Sequence, residues 1–412
     1  MFVGCSVWGG ALIGSQTDAV FAVLIMCVGT AAALVMRNRV ALLIVFAGVG
    51  MLSGAQAADR AATTFAADLP AGRGVFIGTT LTDPLPYGDH LRFLFRPERV
   101  QREQASIPWQ GPPVAVVTEV AEVTAGDRVV VAGRMRAQAE VIRGDPVAGR
   151  IVAAEVVIAG SSSSWTFGAG NAVRDRVRSR LVTLGSTPEA ALLSGFLIGD
   201  IAALPRSDTE SLRSSGLTHY VAVSGSNVAL VLGACWLVLG PLGAGNRVRA
   251  ATGVIVLAVF VVATRWESSV IRAATMAAIV MGGRAVGVAV DAWGALGAAV
   301  TVLVAVSGVL AFDVGFQLSV VATSGVLLGM NYWSGRSPRI FWSLLAATIS
   351  AQLAVVPLLL LHFGTIPLLS PLANLLAAPL VTVGTASAGI GVILGLDPPL
   401  YVADQVAGMV LS

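Results

Sequence analysis

The sequence predicts a polytopic α-helical membrane protein with a small β-barrel domain inserted outside the membrane. Three observations lead to this fold class. Of the 412 residues, 56% are hydrophobic and 12% are charged, a composition too apolar for a soluble chain of this size. Several uncharged windows reach the length that a bilayer core requires, about 18 to 25 residues. Residues 58–160 differ, because they contain short apolar runs and about half of all the charge.

Residues 1–57 are predicted to form N-terminal transmembrane helices. Their apolar stretches lie at about 2–15, 19–36 and 40–57. Arg37-Asn38-Arg39 joins the second stretch to the third and forms a tight basic loop. The positive-inside rule places such a loop in the cytoplasm, so the third helix runs outward. The segment after residue 58 is therefore expected outside the cytoplasm.

Residues 58–165 are predicted to form a barrel that resembles the oligonucleotide-binding (OB) fold. Five partly alternating, β-branched runs are expected as strands, at 74–81, 89–96, 113–120, 128–135 and 150–160. Gly- and Pro-rich segments separate these runs. Five short strands in about a hundred residues fit a small closed barrel.

The second predicted strand contains the candidate nucleic-acid contacts, the arginines Arg92, Arg96, Arg99 and Arg102. They lie beside Phe93 and Phe95, and single-strand binding surfaces use such a mixture of cations and aromatic rings. Acidic residues roughly balance the arginines of this domain, which argues against a strong electrostatic footprint. The two phenylalanines fit the barrel core better than a stacking surface.

Residues 166–205 are predicted to be amphipathic helices at the membrane surface. Val173, Val177 and Leu181 recur at helical spacing among four arginines, a pattern typical of helices near anionic headgroups. Asp200 ends the next apolar segment, where a cap or turn and a functional role both remain open.

Residues 206–412 are predicted to form the main transmembrane domain. Apolar segments occur at about 217–243, 248–264, 268–285, 289–311, 314–332 and 340–361. The basic residues of the connections, Arg247, Arg249, Arg284, Arg336 and Arg339, all fall on the side expected to be cytoplasmic. Segment 366–381 contains three prolines and is predicted to be too broken for one plain spanning helix. The chain then stops within a short apolar stretch, as if partway into an element.

Polar residues within these apolar segments form the candidate site, since polar groups at lipid depth are costly and often functional. The candidate lining residues are His219, Ser224, Ser226, Asn227, Gln317, Gln352 and Asn374. Candidate structural residues or charge pairs are Asp200, Glu267, Arg272, Asp291 and Asp313, with Arg272 expected to pair with one of the carboxylates. Simple helix packing through Ser224-Gly225-Ser226 remains an alternative to a polar lining.

The stretch GLTHYVAVSGSNVALV resembles the signature of ComEC-type competence proteins. Further segments that resemble this family follow in order: GFLIGD (195–200) lies upstream, and SSVIRAATMAAIV (268–280), FDVGFQLSVVATSGVLL (312–328) and HFGTIPLLSPLANLLAAPLV (362–381) lie downstream. Many members have His where this chain has Asn227. The resemblance implies a membrane channel with an OB-like module. The metallo-β-lactamase-like domain that many members add is not found in this sequence.

Several chemistries have no motif in the sequence. The chain contains no lysine, so it has no Walker A motif, and its three His are scattered, so no metal site is predicted. The three Cys are far apart in apolar segments. On a helix, Ser224 lies about 140° round from His219, and Ser226 lies about 10 Å along the axis. Neither serine can pair directly with that histidine while the segment is helical, so a catalytic dyad would need His362 instead. We predict no enzyme activity and no cofactor.

The resemblance implies that the protein passes single-stranded DNA across the cytoplasmic membrane during natural transformation. Its implied partners are the DNA strand, membrane lipid, a surface DNA receptor and a cytoplasmic ATPase, with homo-oligomers possible. Two alternatives remain open at this point: a transporter or flippase of a small or lipidic substrate, and an intramembrane hydrolase.

Overall fold

The fold is seen in a computed structural model of the chain. The structure describes residues 6–8, 11–13, 39–65, 72–102, 105–119, 123–142, 145–161, 164–185, 187–217, 223, 225–333, 339–366 and 370–411. The first two predicted helices and the Arg37-Asn38-Arg39 loop therefore fall mostly outside the described residues. The chain divides into two compact units, one formed by residues 55–173 and the other by residues 1–54 with 174–412.

The first unit contains a seven-stranded sheet. Its strands are β1 (Gly72–Thr80), β2 (Leu85–Tyr87), β3 (His90–Arg102), β4 (Ala105–Pro108), β5 (Val114–Thr118), β6 (Asp127–Ile142) and β7 (Asp145–Ser161). All five predicted strands are present, and the short strands β2 and β4 were not predicted. Both short strands pair with β3.

The pairings of the five longer strands form a ring. Strand β1 pairs antiparallel with both β3 and β6, β6 pairs with β7, and β3 pairs with β5. Strands β5 and β7 pair in parallel. Alternation along the strands fills one face with apolar side chains, because successive residues point to opposite faces. Phe76, Phe93 and Phe95 are each at most 1% exposed in this core, which confirms the predicted place of Phe93 and Phe95.

The remaining elements are helices. They are α1 (Arg39–Phe65), α2 (Trp165–Leu181), α3 (Pro188–Ile198), α4 (Arg206–Ser214), α5 (Gly225–Leu239), α6 (Asn246–Ala263), α7 (Ser268–Ala285), α8 (Ala292–Val306), α9 (Val314–Trp333), α10 (Arg339–Phe363), α11 (Ser370–Leu394) and α12 (Asp397–Leu411). Helices α6, α7, α9 and α10 begin and end within two residues of the predicted apolar segments. Helix α5 begins later than predicted, and both α5 and α8 end before their predicted segments do.

Helix α7 is central to the helical unit. It contacts α5, α6, α8 and α9, and its buried residues Val270 and Ala274 share a core with Leu232 of α5 and Leu257 of α6. A separate core joins α2, α3, α11 and α12. Polar side chains on α7 are therefore surrounded by protein on several sides.

Within the described residues, three helices are long and apolar enough to cross a membrane: Asn246–Ala263, Leu345–Phe363 and Leu372–Leu394. The last corrects the prediction of a broken segment at 366–381, because α11 runs without interruption from Ser370 to Leu394. Pro371 lies in the first turn, where the missing N–H costs no helical hydrogen bond, and Pro379 is accommodated inside the helix.

Candidate functional site: a polar cluster around helices α5 and α7

Two of the predicted lining residues, His219 and Ser224, lie outside the described residues. Their described neighbours, Val223 and Gly225, lie beside α7. Ser269 of α7 donates a hydrogen bond to the carbonyl of Val223 at 2.7 Å. The signature stretch therefore contacts the first turn of the central helix through its middle residue Val223.

The Gly-Asp element at the end of α3 is held by ion pairs. Gly199 caps α3 in the left-handed conformation (φ 70°), which favours glycine. Asp200 accepts a hydrogen bond from Nε of Arg178 at 2.7 Å and lies 3.7 Å from the guanidinium of Arg174. The side chain of Arg174 is 2% exposed and also donates to the carbonyls of Ile198 and Ala263. Arg174, one of the four arginines of the predicted basic surface helix, is therefore buried, with its charge paired inside the protein.

Asn227 joins α5 to α3. Its side chain is buried, and Nδ2 donates to the carbonyl of Phe196 at 2.6 Å. That carbonyl belongs to the last turn of α3, where helical carbonyls have no partner within the helix. This contact gives Asn227 a structural task, whereas the neighbouring Ser226 is exposed.

Arg272 is the buried cation of the central helix. The residue is 6% exposed, Nε donates to Oγ of Ser319 on α9 at 2.8 Å, and Nη1 lies 3.3 Å from the sulfur of Met276. Among the contacts of the described residues, none joins Arg272 to a carboxylate. A Cβ atom at Gly225 would lie 3.4 Å from Nη2 of Arg272. Gly225 thus allows the start of α5 to pack close to the guanidinium of Arg272.

Two of the three carboxylates that were candidates to pair with Arg272 cap helices instead. Asp291 caps α8 by accepting from the backbone N–H of Gly294 at 3.0 Å. Asp313 accepts from the N–H of Phe316 in the first turn of α9 at 2.6 Å. Glu267 precedes α7 as its N-cap residue without a side-chain cap bond. An aspartate directly before a helix favours capping over ion pairing, which explains why Asp291 and Asp313 do not pair with Arg272.

The other predicted lining residues lie in two places. Gln317 of α9 donates to the carbonyl of Ala311 at 2.9 Å, and its Oε1 lies 3.0 Å from Nε2 of His362 on α10. Gln352 is half-buried on α10. Asn374 donates to Ser370 at 3.2 Å within α11, and its Oδ1 is buried with no hydrogen-bond partner among the described residues.

The four arginines of β3 do not share one surface. Arg96 and Arg99 are exposed, and their register partners Thr79 and Ile77 share the outer face of the sheet. Val100 is a core residue, so Arg102, two residues further along the strand, points to the inner face. Arg92 pairs with Glu140 at 2.7 Å. The predicted cluster therefore separates into two exposed and two engaged arginines.

Arg92 and Arg150 share the carboxylate of Glu140 in a cluster beside Tyr87. Their guanidinium carbons lie 4.3 and 5.1 Å from the centre of the tyrosine ring, and both arginines bond to Glu140. Burial lowers the pKa of Arg150, but its hydrogen bonds to Glu140 and Tyr87 outweigh burial and hold that pKa above its ordinary value. Arg150, Glu140 and Tyr87 were not identified from the sequence, since pairing across three strands has no local pattern.

The described residues contain no group of three or more His, Cys, Asp or Glu that could hold a metal ion. Cys235 is a free cysteine on α5. The chemistry of the described cluster is therefore that of hydrogen-bond donors and one buried cation, arranged around the start of α5 and the central helix.

Comparison with known proteins gives two matches. The family described as "Competence protein" matches residues 196–408. ComE operon protein 3 of Bacillus subtilis (strain 168) is 24% identical over 191 residues, which cover 46% of this chain. The match spans 24% of the length of that relative, so this chain corresponds to about a quarter of it. No solved structure matches the chain.

Proposed function

The chain belongs to the competence-protein family, and on that premise we propose that it forms a path for single-stranded DNA across the cytoplasmic membrane during natural transformation. The helical unit supplies the path, and the described helices include three that can span a bilayer.

The observation that carries this proposal is Arg272. An arginine at membrane depth is costly and is usually paired or functional. Arg272 is 6% exposed on the central helix, and its described contacts are a hydroxyl and a thioether. A passing phosphodiester would provide the missing negative charge, and the planar guanidinium suits phosphate geometry. A permanent carboxylate partner would compete with such a substrate.

The remaining predicted lining residues extend the proposed path. We assign a lining role to His219, Ser224, Ser226, Gln317, Gln352 and Asn374, which are neutral or weakly charged and can exchange hydrogen bonds with a moving strand. Asn227 is now expected to stabilise the contact between α3 and α5, because its side chain is buried and bonded to Phe196.

The sheet unit is proposed to be an OB-like barrel. The ring of pairings and the parallel contact between β5 and β7 support this assignment. Arg96 and Arg99 are its candidate DNA contacts, since they are exposed on one face, whereas Arg92 is neutralised by Glu140. The proposed domain limits remain 58–165 for this module and 206–412 for the channel, with 166–205 between them at the membrane surface.

We place the sheet unit outside the cytoplasm, because the arginines of the connections fall on one predicted side. Cysteine labelling tests this in a background that lacks the native cysteines. Ser106→Cys on β4 and Ala289→Cys after α7 are both exposed positions in the structure. An impermeant reagent should label Ser106→Cys in intact cells and Ala289→Cys after lysis. The reverse pattern would overturn the topology.

The energy for transport is proposed to come from a partner ATPase, because the sequence has no Walker A lysine. A surface receptor is proposed, from the family resemblance, to deliver the strand. The purified chain should neither hydrolyse ATP nor cut DNA. Metal-dependent degradation of single strands that persists through repurification would contradict this.

An uptake assay tests the proposal against a small-molecule transporter, a flippase or a hydrolase. Labelled DNA is supplied to a competent host that lacks its own channel, with and without this chain, and internalised label is counted. Restored uptake is the expected result. If the chain reaches the membrane in normal amounts together with its partners and no label enters, the channel assignment is wrong.

A further inference from the structure

A basic pocket lies between α5, α6 and α7, away from the cluster around Arg272. Its volume is about 160 Å³. It is lined by Trp236, Asn246, Arg249, Ala250, Met281 and Arg284. Ala250 and Met281 are buried and form an apolar floor, while the polar lining residues come from the ends of the three helices.

Two arginines give the pocket its charge. Arg249 lies in the first turn of α6 and Arg284 in the last turn of α7. Among the described residues, no ion pair involves either arginine, and Nε of Arg249 is buried without a hydrogen-bond partner. The buried Nε of Arg249 and the two guanidinium groups that line the pocket favour an anionic hydrogen-bond acceptor. Phosphate oxygens match the planar donor geometry of a guanidinium group.

The pocket opens at the end of a candidate membrane-spanning helix. Helix α6 spans Asn246–Ala263, so Asn246 and Arg249 belong to the end that reaches the bilayer surface. Trp236 is also typical of that depth. Large apolar side chains that adjoin the lining residues in sequence are exposed, namely Leu237 and Val238 after Trp236 and Val248 before Arg249. These side chains provide a surface for acyl chains, which neither free phosphate nor nucleic acid would use.

We propose that this pocket binds the phosphodiester of an anionic phospholipid, with Arg249 and Arg284 on the phosphate and the exposed apolar side chains along the acyl chains. Basic pockets between transmembrane helices hold anionic headgroups in this way. The bound lipid would stabilise the packing between the ends of α5, α6 and α7. These three helices belong to the proposed DNA path. The lipid site itself does not depend on the DNA function.

A lipid titration tests the proposal on the purified full-length chain. Short-chain phosphatidylglycerol should raise the thermal unfolding temperature, whereas phosphatidylcholine and inorganic phosphate at equal concentration should have little effect. The double variant Arg249→Gln/Arg284→Gln should bind phosphatidylglycerol at least about tenfold more weakly. Arg247→Gln is the matched control, because Arg247 is exposed in the same turn and does not line the pocket.

Ala250→Leu provides a second variant that fills the floor and keeps both charges, and it should weaken binding as well. Equal binding by the double variant and its parent would overturn the proposal. An equal response to phosphatidylcholine would also overturn it, and an equal response to inorganic phosphate would identify a free-anion site instead. DNA uptake need not be measured, so failure here leaves the proposed channel untouched.

Discussion

Two partly buried arginines of the sheet unit share a carboxylate, whereas Arg272 in the helical unit has none among the contacts of the described residues. Glu140 bonds to both Arg92 and Arg150, and their guanidinium carbons lie 4.3 and 5.1 Å from the centre of the Tyr87 ring. Arg272 is more deeply buried than either, yet its described partners are Ser319 and Met276. The cost of an uncompensated charge is greatest where water is scarcest. This difference supports the proposed role of Arg272 in the passage of an anion, whereas Arg92 and Arg150 link their strands through Glu140.

The helical unit also contains a compensated arginine, and its loss should have the largest effect on stability. Asp200→Asn removes the carboxylate that neutralises Arg174 and Arg178, and the side chain of Arg174 is 2% exposed. Removing one partner of a buried ion pair leaves an uncompensated charge, which costs about 3 to 5 kcal/mol. Thermal unfolding in detergent should show this loss. A stability equal to the parent would mean that the carbonyls of Ile198 and Ala263 alone satisfy Arg174.

A smaller loss is expected from Asn227→Leu. The substitution leaves the carbonyl of Phe196 without its donor, and an unsatisfied buried polar group costs about 1 to 3 kcal/mol. The amount of protein in the membrane and its unfolding temperature measure the effect. Ser226→Ala, one residue away at an exposed position, is the control. If the variant has normal stability but loses DNA uptake, Asn227 lines the path, as the sequence predicted, and does not mainly stabilise the contact between α3 and α5.

Glu140→Gln should have a smaller effect still, about 1 kcal/mol, because water screens its partly exposed ion pairs. The side chains of Arg92, Arg150 and Glu140 are 24%, 16% and 29% exposed. The loss should shrink as salt is added, since salt screens exposed pairs. Unfolding of the parent and the variant at low and high salt measures this. A loss as large as that of Asp200→Asn would remove the contrast between the two units.

The fold was largely predictable from local patterns, because hydrophobic length and strand alternation are local properties. The five longer strands and helices α5 to α10 lie where strand alternation and hydrophobic length predicted them. The contacts of the candidate site were less predictable, since they join distant parts of the chain. Ser319 lies 47 residues from Arg272, and Phe196 lies 31 residues from Asn227. The continuous helix α11 was missed because the effect of a proline depends on its position in the helix.

The central claim is that Arg272 serves a passing DNA strand. Arg272→Gln should change the unfolding free energy by no more than about 1 kcal/mol, because replacing a buried charge by a neutral group is often harmless. Arg247→Gln supplies an exposed control. The most direct measurement compares the uptake of labelled DNA by cells that contain equal membrane amounts of parent, Arg272→Gln and Arg247→Gln. Uptake should fall about tenfold or more for Arg272→Gln alone, the loss of one charge-assisted contact. Uptake equal to the parent for Arg272→Gln would contradict the claim.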